Sequence, residues 1–159
     1  MSETSSRTLE QWFELYGESH RNKTNKTIHF IAVPTIYFSI IGLLWAIPVP
    51  AALAAIPGLN WAVLAVIPVL LFYRGLSMPV TIGMAVFSGA CFAVLHYLQA
   101  AGLSVLWISV GLFVVMWILQ FIGHAVEGKK PSFFQDLQFL LIGPAWVLAF
   151  LLRRAGIAH

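Results

Sequence analysis

The chain has 159 residues, of which 60% are hydrophobic and only 9% charged, and its mean hydropathy is +0.87. Soluble domains carry roughly 45–50% apolar and about 25% charged residues, and a globule this small has too little interior to hide the excess. A water-soluble fold is excluded, and an integral membrane protein forming a single domain over residues 1–159 is expected. The net charge of +3 does not point to nucleic acid. Lys and Arg gather at the ends of apolar segments, where the positive-inside rule places them. Cys91 is the only cysteine, so an internal disulfide is impossible. The first twenty residues are polar, so no secretory signal is visible.

In chain order, Thr8 with Gln11 resembles a capping box. Leu9, Trp12, Phe13 and Tyr16 then recur at helical spacing between Glu10, Glu14 and Glu18. This predicts an amphipathic helix over 8–20, lying at the membrane interface. Residues 22–27 read as a loop and helix start, with Asn22, Thr24 and Asn25 as N-cap candidates. Apolar spans follow over about 28–47, 56–73, 80–98 and 103–123, each near the length a bilayer core needs. Pro34 should kink the first. The connection from Pro48 to Asn60 contains a short apolar piece. Residues 124–131 read as a polar linker, and Ser132 with Gln135 as a second capping box. The segment 133–152 is a re-entrant helix or a fifth span. The fold class is therefore all-α, a polytopic helical bundle of four to five spans plus the interfacial helix. With residues 1–27 inside, four spans return Arg74 and the 124–131 linker to the same cytoplasmic face, and the far loops carry no charge. Gly83, Gly89 and Gly111 suit close helix contacts. Trp45, Trp61, Trp107 and Trp117 suit belt anchoring and packing.

That topology brings His20, His29, His124 and Glu127 to one interface. On one straight helix, nine residues at about 100° each would set His20 and His29 on opposite faces, so a break between them is required. Imidazole suits divalent iron or zinc, and three ligands leave positions open for substrate and oxygen. His124 and Glu127, spaced i, i+3, share a face if the helix continues that far. Glu127 then either ligates the metal or orients a histidine. The competing reading is of interfacial histidines, with Glu127 paired in solvent to Lys129 and Lys130. His96 belongs near the far face, roughly 25 Å along its span. His159 is terminal. Arg74 is a topology anchor or a carboxylate-binding cation.

Two stretches carry a resemblance. Trp12, Tyr16, His20, Asn25, His29 and Pro34 form W-x3-Y-x3-H-x4-N-x3-H-x4-P. Later come Gln120-Phe-Ile-Gly-His124, Glu127, Lys130-Pro131 and Gly143-Pro144. Over about 12–154 the chain resembles a family of membrane 2-hydroxy fatty acid dioxygenases. That family includes the fungal endoplasmic-reticulum enzyme of phytosphingosine breakdown and bacterial relatives. The middle spans match only in hydropathy, and Lys130-Pro131-Ser132 stands where a Pro-Ala pair is expected. The resemblance implies an Fe(II) enzyme of fatty acid α-oxidation, with His20, His29 and His124 essential. It would convert a long-chain 2-hydroxy fatty acid and O2 to the acid one carbon shorter, releasing CO2. Glu127 is the catalytic candidate, and Arg74, Lys26 and Asn25 are the substrate-binding candidates. The implied site of action is the inner membrane if bacterial, or the endoplasmic reticulum if eukaryotic, with the metal at the cytoplasmic face.

Other classes stay in view. A two-iron desaturase needs about eight histidines, and this chain has five. A scaffold or transporter without chemistry would place polar groups near the midplane, and the one candidate within the spans, His96, belongs nearer the far face. A zinc hydrolase at the membrane face differs from the dioxygenase in its metal and in needing no oxygen.

Overall fold

The structure is a computed structural model that describes residues 7–128 and 139–157. Every regular element among them is a helix: α1 (Leu9–Gly17), α2 (Lys23–Trp45), α3 (Ala51–Ala54), α4 (Trp61–Arg74), α5 (Met78–Ala100), α6 (Val105–Glu127) and α7 (Ile142–Arg154). The all-α class is as expected. Helices α2, α5 and α6 are each long and apolar enough to cross a bilayer, while α4, at 14 residues, is shorter.

Helix α1 starts where its sequence dictates. The Thr8 backbone N–H donates to Gln11 Oε1 at 2.9 Å, and Gln11 N–H donates back to Thr8 Oγ1 at 3.3 Å. Its apolar face is spent on the protein itself, since Leu9, Phe13 and Tyr16 are buried and Tyr16 packs on Trp146 of α7. Helix α2 begins five residues before the expected 28, because Asn22 caps it by accepting the Thr24 N–H at 2.8 Å. It runs on through Pro34.

Helices α2 and α6 form the central antiparallel pair. Gly42 abuts Ser109 at one end, and Gly123 abuts Asn25 at the other. Helix α5 runs parallel to α2, tied by Tyr37 Oη and Ser88 Oγ at 2.8 Å and by Trp45 Nε1 donating to Gln99 Oε1 at 2.8 Å. Helix α4 packs on α5 and α2, and α7 packs on α1, α2 and α5. Ile82, Val86 and Val94 of α5 and Val114, Val115, Ile118 and Ile122 of α6 are exposed. In a helix whose backbone is satisfied internally, such a surface suits lipid.

Several expectations need correction. Helix α6 continues to Glu127, so His124 and Glu127 are helical rather than part of a linker; Gly128, at φ 76°, then ends it in the left-handed region. Of the three glycines expected at helix contacts, only Gly83 meets one, against Leu148 of α7. A side chain at Gly89 or Gly111 would enter open space. The close contacts fall instead at Gly42, Gly123 and Gly143. Of the tryptophans expected to anchor or pack, Trp117 packs, being buried, whereas Trp107 is 71% exposed. Lys129, Lys130, Pro131, the Ser132–Gln135 box, the start of segment 133–152 and His159 lie outside the described residues. What is described of that segment, α7, has 13 residues, roughly 20 Å of helix.

Candidate metal centre

Three elements deliver the histidines. His20 follows α1 after a short turn, in which its N–H bonds Gly17 O at 3.0 Å. His29 lies in the second turn of α2, and His124 in the last turn of α6. The break between His20 and His29 is present, and it lets both rings face the same point. Each of the three side chains is at least nine-tenths buried. Ring centroids lie 4.2 Å apart for His20 and His29, 5.0 Å for His29 and His124, and 5.8 Å for His20 and His124. One nitrogen from each lies within 4.8 Å of the other two. Ligand nitrogens at ~2.1 Å from a shared ion stand roughly 3–4 Å apart, so small ring movements would close the set.

The backbone selects which nitrogens face inward. His20 Nδ1 meets Tyr16 O at 2.6 Å, and His29 Nδ1 meets Asn25 O at 3.0 Å. A carbonyl only accepts, so Nδ1 carries the proton in both rings and Nε2 keeps its lone pair. This is the outer support that metal-binding imidazoles usually have. His20 is further fixed by stacking on Tyr16, centroids 4.1 Å apart and 13° from parallel. The donor set is therefore fit to hold a divalent cation.

Glu127 is not in the histidine cluster. Its carboxylate accepts the backbone N–H of Arg21 at 2.9 Å and of Asn22 at 3.1 and 2.9 Å, and the Asn25 amide at 3.0 Å. Only donors face it, which suits the ionised form. It sits at the N-terminus of α2, where the helix dipole also favours an anion. Glu127 thus clamps the end of α6 onto the loop that carries His20. Asn25 is fully buried, and its amide nitrogen also donates to Ser19 O at 3.0 Å. Gly123 leaves room for it. A Cβ there would collide with Asn25 Oδ1 and stand 3.5 Å from the His29 ring. Gly123→Ala is accordingly expected to cost about 1–3 kcal/mol of stability, read as a lower unfolding temperature in detergent.

Arg74 and Lys26 are both exposed, and neither lines the small cavity beside His29. His96 is exposed on α5, three residues before the Gln99 that bonds Trp45 at the C-terminal end of α2. It lies at the opposite end of the bundle from the histidine cluster. Tyr16, Trp117 and Gln120 line the cavity with His29, and none had been singled out as a functional residue. For Gln120 a signal existed: it is one helical turn before His124 and so on the same face.

The family model described as 2-hydroxy-palmitic acid dioxygenase Mpo1-like matches residues 6–155. The 2-hydroxy-palmitic acid dioxygenase MPO1 of Saccharomyces cerevisiae is 30% identical over 147 residues, covering 89% of this chain and 78% of the yeast protein. No solved structure matches. The match spans both histidine motifs, the clamp and the helices that carry them, and the chain belongs to the Mpo1-like family.

Proposed function

We propose that the protein is an Fe(II)-dependent dioxygenase of long-chain 2-hydroxy fatty acids. The observation that carries this is the buried His20–His29–His124 cluster, found in a chain of the Mpo1-like family. The overall change is R–CH(OH)–COOH + O2 → R–COOH + CO2 + H2O. The substrate supplies all four electrons that O2 takes up, so no flavin or nicotinamide is needed. Iron, held by the three histidines, would supply oxygen activation. The chain's own residues bind, orient and exclude water.

His20 and His29 present Nε2 because the carbonyls of Tyr16 and Asn25 hold their Nδ1 protons. Glu127 and Asn25 act as positioning residues. They fix the loop between α1 and α2 to α6 and so keep His20 in register with His124. Val33 and Ile36, one and two turns beyond His29 and lining the same cavity, offer the acyl chain an apolar path along α2. Arg74 and Lys26 serve as cations that draw the carboxylate in from the interface. The site faces the cytoplasm in a multi-pass protein, since that orientation keeps Arg74 and the polar start of α2 on the basic side.

The test is oxygen uptake by purified protein loaded with Fe(II) and given 2-hydroxyhexadecanoate, with the C15 acid and CO2 quantified together. The expected result is one acid and one CO2 per O2. The Zn(II)-loaded protein is expected to consume none. Absence of uptake by folded, iron-loaded protein across several chain lengths would overturn the reading. In the same assay, Arg74→Ala and Lys26→Ala should raise KM at low salt and lose that effect at high salt; an unchanged KM removes both from the steering role.

A further inference from the structure

The cavity beside His29 has a volume of about 20 Å³, room for roughly one water-sized group, so a substrate head can enter only by displacing the side chains that line it. Most of its wall is apolar. Gln120 is an exception: its side chain is 6% exposed, lines the cavity, and makes no hydrogen bond to another described residue. It stands one turn before His124 on the same face of α6, and lines the cavity with His29. Packing alone would be served better by an apolar residue of the same shape.

We infer that Gln120 binds the polar head of the substrate, its Nε2–H donating to the carboxylate and its Oε1 accepting from the 2-hydroxyl. This rests on the dioxygenase reading and deepens it. A primary amide carries one donor side and one acceptor side, and a 2-hydroxy carboxylate presents the complementary pair on adjacent carbons. A plain fatty acid lacks the hydroxyl and would leave Oε1 unsatisfied. A site built to pair with a hydroxyl discriminates strongly against the analogue without it. Gln120 is therefore assigned the selection of 2-hydroxy acids over ordinary fatty acids, which greatly outnumber them in any membrane.

The test uses the full-length, Fe(II)-loaded protein in detergent, as wild type, Gln120→Met and Gln120→Glu. Affinities for 2-hydroxyhexadecanoate and for hexadecanoate are measured by calorimetry without oxygen, and turnover by oxygen uptake. Methionine keeps the length and fills the same space, so the unfolding temperature should hold. Gln120→Met should weaken 2-hydroxyhexadecanoate binding about 10- to 100-fold and hexadecanoate binding by less, narrowing the preference. Gln120→Glu should weaken both more, because it sets one carboxylate against another. Wild-type affinities for both acids in Gln120→Met would overturn the inference and leave the dioxygenase reading intact. A wild-type protein that binds neither acid and takes up no oxygen would remove the reading and the inference together.

Discussion

Replacing His124 with alanine is expected to remove stoichiometric iron and to lower oxygen uptake more than about 100-fold. Loss of an outer hydrogen-bonding partner already costs about 10- to 100-fold in metal affinity, and loss of one ligand in three should exceed that. His29→Ala should do the same, since its ring lies between the other two, 4.2 Å from His20 and 5.0 Å from His124. The control is His96→Ala, at the other end of the bundle, which should keep both metal and activity. Iron content by mass spectrometry, oxygen uptake and unfolding temperature are read on the same preparations. Full iron content in a well-folded His124→Ala protein would refute the three-histidine site.

Glu127→Ala is expected to weaken iron binding about 10- to 100-fold and to cost about 1–3 kcal/mol of stability. The change strands the Arg21 and Asn22 N–H groups and one hydrogen of the Asn25 amide, and frees the loop that carries His20. Partial exposure of Glu127 keeps the stability loss near the lower end. Glu127→Gln should recover little, because its NH2 would face two of the three donors whichever way it turned. Iron titration followed by kcat at saturating iron separates two roles. A positioning residue loses metal affinity and regains kcat when iron is saturating. A group acting directly in the reaction loses kcat whatever the iron concentration. The four hydrogen bonds to the loop and to Asn25 lead us to expect the first outcome.

Much of this site was legible in the residues. Charge placement and the count of apolar segments brought His20, His29 and His124 to one end of the bundle. The polar run between His20 and His29 required a turn, and Asn22 provided the cap. The amphipathic face of α1 was readable because Leu9, Phe13 and Tyr16 alternate with acids. The fold class followed from hydropathy alone, because a backbone in lipid must satisfy itself within helices.

Rotation of the long helices about their axes was not legible. Helices α2, α5 and α6 are apolar all round, so periodicity does not mark the face that packs on protein. Gly89 and Gly111 were therefore placed at contacts that Gly42 and Gly123 make. For the same reason the sequence does not say which tryptophan anchors and which packs, and it is Trp117 that is buried, lining the cavity with His29. Only the packing of α6 on α2 decided that Glu127 grips the Arg21–Asn22 backbone and that Gln120 opens onto the His29 cavity. Sequence by itself determined which residues could meet at one end of the bundle, because hydropathy and charge act along the chain. Tertiary structure decided which of them touch, because that depends on helix rotation, which close packing sets and composition does not.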